Sequence, residues 1–350
     1  MTTVRTLFNT ATTMSEGGRG QALRRIAILA LVCVLPLALR DYQLSLVTTA
    51  LIAALGALAL TLVTGFVGLV TAGNSALLAL GAYGAAIGAV QLELPFLVVL
   101  VGSVLVGAVV GLLAGLPALR VSGIYLAIAT LALHFILIFV FNEYQTRAVG
   151  SAGFFLPTAS IGGLLIDNAI KWYAVLVVVV LATWRLVENL KRSKFGRAWM
   201  LIRDTPLAAA SQGISLPAYK LAAFVVSSAI ISMSGTFLAY FQQAVYIENF
   251  TLELAIQYIA MVIIGGMGSS GGAIAGACFV VLLPPMLSRA IALLPSDAVV
   301  AGFLQQNLGD FQLIIYGTLV VVFLVWRPDG LAGLGQRVAA LRLPSRKGAR

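Results

Sequence analysis

Long apolar runs separated by short polar passages set the pattern of this chain. The runs fall at about 26–39, 44–63, 75–92, 95–118, 123–141, 169–187, 220–241, 254–267, 272–288 and 311–326. Most approach the ~20 residues an α-helix needs to cross a ~30 Å hydrocarbon core. The pattern predicts an all-α, polytopic transmembrane bundle of about ten spans. Ile26 to Leu39 resembles a signal-peptide core, but no A-x-A site follows and the preceding region is long, so it reads as an uncleaved first span. Ile264 to Gly276 is so glycine-rich that its flanking spans are expected to be broken or partly re-entrant.

Charge orients the spans. Of 22 basic residues, the first 25 positions hold four, Arg185–Lys220 seven and Arg327–Arg350 six. Positive residues in short loops mark the cytoplasmic side, so those three regions share it. The organisation is then a cytoplasmic tail (1–25), six spans (26–187), a cytoplasmic loop (188–219), four spans (220–326) and a basic cytoplasmic tail (327–350), with both termini inside.

The loop at 188–219 is the longest polar passage enclosed by apolar chain. Phe195, Trp199 and Ile202 recur at the spacing of one helical face, and Arg203 and Asp204 close that helix. Thr205 suits an N-cap and Pro206 a first helical position, so a second helix under two turns long is expected to reach Gln212 and stop at Gly213. Ala208, Ala209, Ala210 and Ser211 give it a small surface that another protein could approach closely. An amphipathic loop resting on lipid phosphate is the other reading of the same residues.

Composition agrees with the membrane reading and removes other classes. The 350 residues are 61% hydrophobic and 10% charged, with a mean hydropathy of +1.04, which excludes a soluble globule. The net charge of +10 is confined to particular loops, so nucleic acid is not a partner. Cys33 and Cys278 lie within apolar runs and no ligand-spaced Cys or His cluster occurs. No H-E-x-x-H, G-x-S-x-G or P-loop motif is present, so neither catalysis nor ATP binding is expected of this chain.

Polar and glycine positions inside the spans are candidates for a translocation path. Thr64 to Ala85 carries Gly65, Gly68, Gly73, Gly81 and Gly84, with Asn74 a lone amide and Tyr83 near its end. Ile263 to Ala277 pairs Gly265 and Gly266 with Ser269 and Ser270. Such segments permit close helix packing or an unwound turn lining a cavity. His134, the single histidine, is either a satisfied structural residue or a gating group.

Leu116–Leu133 (LPALRVSGIYLAIATLAL), Phe195–Ala198 (FGRA), Ala208–Ile214 with Tyr219–Leu221 and Phe224, Ile264–Ser269 (IGGMGS) and Arg327–Leu331 (RPDGL) together resemble the LivM-type permeases of branched-chain amino-acid ABC importers. The resemblance implies an inner-membrane transport subunit that works with a LivH-type permease, two ATP-binding cassette subunits and a periplasmic substrate-binding protein. ATP and Mg would be bound by those cassettes, leaving no cofactor in this chain. It also implies that Asp204–Gly213 is the coupling helix, with Phe195, Trp199, Arg203, Asp204, Ala208, Ala209 and Gly213 as cassette contacts. Three departures bear on substrate. Phe135 stands where relatives often carry glutamate, Asn74 where they often carry histidine, and the T-G-G-x-x-G segment reads Ala148–Gly153. Urea, short amides and aromatic acids, which family members also carry, remain alternatives to an apolar amino acid. An ion-coupled secondary transporter or a membrane-embedded enzyme would instead call for carboxylates or convergent reactive groups within the spans, which are scarce here.

Overall fold

The computed structural model describes residues 39–121, 123–150 and 153–292, together with scattered positions between 309 and 333. The expected N-terminal tail, the first span and nearly all of the C-terminal tail lie outside the described residues. Eight of the expected spans appear as helices: α1 (Asp41–Leu60, widening into a π-helical turn over Thr61–Val67), α2 (Asn74–Ala86, with a second π turn at Ile87–Gln91), α3 (Phe96–Gly115), α4 (Ile124–Val149), α5 (Ala169–Arg192), α8 (Leu216–Gln242), α9 (Leu252–Gly265) and α10 (Ser270–Ala292). Seven helices among the described residues are long and apolar enough to cross a membrane. The described positions from 309 to 322 are also helical.

Helix ends follow local chemistry. α4 outlasts the apolar run that ends near 141 because Asn142–Arg147 is polar but not helix-breaking; it stops at Gly150, whose φ of 67° ends the helix. The Arg147–Glu143 ion pair at 2.6 Å lies on this extension. Thr251 caps α9, its hydroxyl accepting from Leu254 N–H at 3.3 Å. Beyond the far ends of α4 and α8, strands β1 (Phe154–Phe155) and β4 (Ala244–Val245) pair antiparallel, and β2 (Ser160–Ile161) folds onto β3 (Leu164–Leu165). On that surface the Lys171 ammonium, 2.6 Å from Asp167, holds the carboxyl below the usual carboxylate range.

The bundle is organised around α8. Apolar side chains cannot drive helix association in lipid as they do in water, so close backbone approach and interhelical hydrogen bonds matter more. A Cβ on Gly235 would stand 2.0 Å from the Leu78 carbonyl oxygen of α2, and one on Gly81 1.9 Å from that of Ser232. Only glycine lets these two helices touch here. Around this contact α8 donates hydroxyl hydrogen bonds to all three neighbours. Ser227 bonds Ala59 O at 2.8 Å and Ser234 bonds Ile52 O at 2.7 Å on α1; Ser232 bonds Ser103 O on α3 at 2.8 Å, and Thr236 bonds Gly81 O on α2 at 3.2 Å. At about 0.6 kcal/mol for such a bond in a membrane protein, replacing Ser227, Ser232 and Ser234 together by Ala should destabilise the bundle by about 2 kcal/mol. Thermal unfolding in mild detergent checks this, and an unchanged midpoint would remove these bonds from the account.

α9 and α10 form an antiparallel pair, as Gly265 opposes Gly272 while Gly276 opposes Met261. The chain breaks between them at Gly266–Ser269, and a second irregular stretch, Gly68–Gly73, joins α1 to α2. The glycine-rich segments thus serve both purposes that the sequence allows: close packing at Gly81, and unwound backbone at these two breaks.

Candidate functional site

The loop following α5 folds as two helices, α6 (Lys194–Asp204) and α7 (Pro206–Ser211). Ser193 caps α6, accepting from Phe195 N–H at 3.1 Å and Gly196 N–H at 3.5 Å. The turn is so tight that a Cβ on Gly196 would lie 2.2 Å from the Lys191 carbonyl. α6 then packs its apolar face on the bundle. Trp199 is 1% exposed and donates its indole N–H to Tyr219 O at 2.8 Å, while Phe195, half exposed, rests on the Tyr219 ring.

Two of the expected cassette contacts face inward in the subunit. Trp199 was expected to touch a cassette, but it is enclosed by its own chain. Ala209 was expected on the open face of α7, yet it is 0% exposed, and its carbonyl accepts from Ile214 N–H at 3.1 Å. A six-residue helix has too few turns for its sequence to reveal an inner side, so tertiary contacts decide. The outward residues are Leu207, 88% exposed, with Ala210 and Ser211; Ala208 is half-buried. Leu207 was missed, although a leucine at the start of an otherwise small-residue helix is the available signal. Thr205 occupies the N-cap position without a side-chain hydrogen bond, and Gly213, at φ 78°, ends the unit. Asp204 is exposed and pairs with Arg203 Nε at 3.0 Å.

Another Arg203 donor points inward. Its Nη1 bonds Gly65 O at 2.7 Å, and Lys191 Nζ bonds Gly268 O at 3.1 Å. Glu188 accepts from Ser270 Oγ at 2.9 Å. The path candidates Gly265, Gly266 and Ser269 therefore stand beside the α5–α6 junction, grouped with Gly65 rather than with Asn74.

Asn74, Tyr83 and His134 belong to a second group, where α2 lies parallel to α4. Two polar rungs join these helices, Ser75 Oγ to His134 Nδ1 at 3.0 Å and Tyr83 OH to Gln145, and a third, Ala72 N–H to Thr130 Oγ1 at 3.1 Å, ties the stretch before α2 to α4. Tyr83 also stacks on Phe141 at 4.7 Å. Gly73 allows the approach, since a Cβ there would meet Thr130 O at 2.8 Å. Asn74 exchanges hydrogen bonds with Thr71, both at 3.3 Å, beside a void of about 10 Å³ among Thr130, Ser227 and Ser228, room for roughly one water.

His134 also borders a larger space. An open groove of about 590 Å³ lies on the outer side of α4, bounded by Phe135, Ile138, Phe139 and Asn142 and by Glu248 and Phe250 of the connection to α9. The outer side of α3, in contrast, is an unbroken aliphatic surface that includes Leu97, Val101, Leu105 and Leu112. Lipid suits the second surface; the first offers a carboxylate and an amide above an apolar floor.

Membrane-crossing helices bound by glycine contacts and internal hydroxyl bonds, with a structured polar loop at one end, define a polytopic integral membrane protein. The family model described as "Branched-chain amino acid transport system / permease component" matches residues 42–324, and the chain belongs to that family. It is 28% identical to the high-affinity branched-chain amino acid transport system permease proteins LivM of Salmonella typhimurium and of Escherichia coli K12, over 94% of this chain and 79% of each relative. It is 27% identical to a protein of Methanocaldococcus jannaschii described as the branched-chain amino acid transport permease LivH, over 65% of this chain and 72% of that one. No solved structure matches significantly.

Proposed function

We propose that this chain is one of two permease subunits of an inner-membrane ABC importer and forms half of the path for branched-chain or other apolar amino acids. Cassette subunits, which bind and hydrolyse ATP, dock on α7; a LivH-type permease supplies the other half of the path, and a periplasmic binding protein delivers the solute at the opposite end. The observation that carries the docking role is Leu207, a large apolar side chain 88% exposed at the tip of a loop that is otherwise tightly held. Burial of that side chain in a partner's pocket would stabilise the contact by ~1.5–3 kcal/mol, a gain that a phosphate layer does not offer.

The open groove on α4 supports the solute class. Phe135, Ile138 and Phe139 suit an apolar side chain, and Glu248 and Asn142 suit the ammonium and carboxylate of a zwitterion. Glu248→Gln keeps the shape and removes the charge, so it should raise the KM for leucine uptake about tenfold, the loss of about 1.4 kcal/mol of binding, with the complex assembled. Proteoliposomes holding the complex, binding protein and ATP should take up leucine in preference to urea or benzoate. Uptake of urea alone would overturn the amino-acid assignment, and uptake without ATP would overturn the ABC assignment.

A further inference from the structure

Two of the cations that the sequence places in the basic loop reach backbone carbonyls at the helix breaks, Arg203 in the π turn just before the first and Lys191 within the second. Arg203 reaches Gly65 O at 2.7 Å, and its stem fills the space over Gly68, where a Cβ would lie 2.6 Å from its Cγ. Lys191 reaches Gly268 O at 3.1 Å while its ammonium stands 5.5 Å from the Phe66 ring centroid. Glu188 takes the hydroxyl of Ser270 at 2.9 Å, where α10 begins. The π turn that leads into the first break also meets the second break, since a Cβ on Gly65 would stand 2.7 Å from Gly268 N. Gly330 covers the far side, within 2.4 Å of Gly266 N by the same measure. Four separate stretches of sequence, around 65, 190–203, 268 and 330, converge here.

We infer that Arg203, Lys191 and Glu188 are positioning residues that carry movement of α6 and α7 into the two helix breaks, linking cassette closure to opening of the path. This rests on the docking role proposed for α7. Interrupted helices leave carbonyls without ladder partners, and the cations supply those partners as charge-assisted hydrogen bonds, roughly twice as strong as neutral ones. Because Arg203 closes the helix that leads directly into α7, a displacement of Leu207 pulls on Gly65 through one side chain. Lys191 and Glu188, one turn apart at the end of α5, hold both sides of the other break, at Gly268 and Ser270. The breaks are where α1–α2 and α9–α10 can change their angle with the least loss of regular hydrogen bonding.

The test uses the complex as purified, with Lys191→Met and Arg203→Met combined, and with Lys191→Arg and Arg203→Lys as donor-retaining controls. Amide hydrogen exchange over 65–73 and 266–270 should quicken at least about tenfold in the Met variant and little in the controls. Stimulation of ATP hydrolysis by loaded binding protein, taken as a ratio to the unstimulated rate, should fall about tenfold, within the usual range of coupling between sites; the controls should recover most of it. A structural staple alone would lower both rates together and leave the ratio unchanged, which would overturn the inference, as would cassette loss from the Met variant. If the wild-type complex holds no cassettes, the docking role itself fails, and the exchange arm still decides the clamp: unaltered exchange at both segments removes it.

Discussion

Leu207→Asp should release the cassette subunits from the complex while leaving membrane insertion unchanged. Burying a leucine side chain contributes ~1.5–3 kcal/mol, and a carboxylate forced into the same pocket adds an uncompensated desolvation cost. At 1.4 kcal/mol per tenfold, affinity should drop by about two orders of magnitude or more. Leu207→Ala, which loses only the burial, should cost about tenfold or somewhat more. Because Leu207 is 88% exposed in the subunit, neither change disturbs the fold, and the unfolding midpoint of the isolated chain should match wild type. Co-purification at matched membrane levels gives the answer. Full cassette retention by Leu207→Asp would leave α7 as a loop at the lipid surface.

The second large effect is on the bundle itself. Gly235→Leu should prevent accumulation of the folded chain. Even the first carbon of the new side chain would stand 2.0 Å from Leu78 O, where ordinary contact begins near 3.4 Å, and the atom it meets is backbone in a buried helix. α8 and α2 must part by more than an ångström, which weakens the Thr236–Gly81 bond and the packing around it. Overpacking of this kind costs ~3 kcal/mol or more, a large share of the ~5–15 kcal/mol by which folded proteins are stable. Gly102→Leu is the matched control, because nothing lies within 4 Å of its Cβ position. If both variants accumulate equally, the close contact of α8 with α2 is not what holds the bundle.

The spans were legible because one variable, the length of an apolar run, decides them: the run at 95–118 became Phe96–Gly115, and that at 169–187 became the greater part of Ala169–Arg192. The extension of α4 to Val149 was not, since hydropathy marks where lipid ends rather than where a helix does. Composition also showed that the glycines would permit close approach, but not against what. Gly81 and Ser232 are far apart in the chain, as are Gly65 and Arg203. Ser75, the partner of His134, lies 59 residues away. The inward turn of Ala209 and Trp199 has the same origin, because a short amphipathic loop has two surfaces it could cover, lipid or its own bundle, and only the tertiary fold selects one.

The hydroxyl bonds of α8 also order events in time. Their partners on α1, α2 and α3 lie 129 to 182 residues earlier in the chain. At synthesis rates of ~5–20 residues per second, those helices are made roughly six to thirty-six seconds before the one that joins them. Until then, the groove that will receive α8 faces lipid or other helices. The contacts that tie α1, α2 and α3 to α8 therefore form only after α8 has been made.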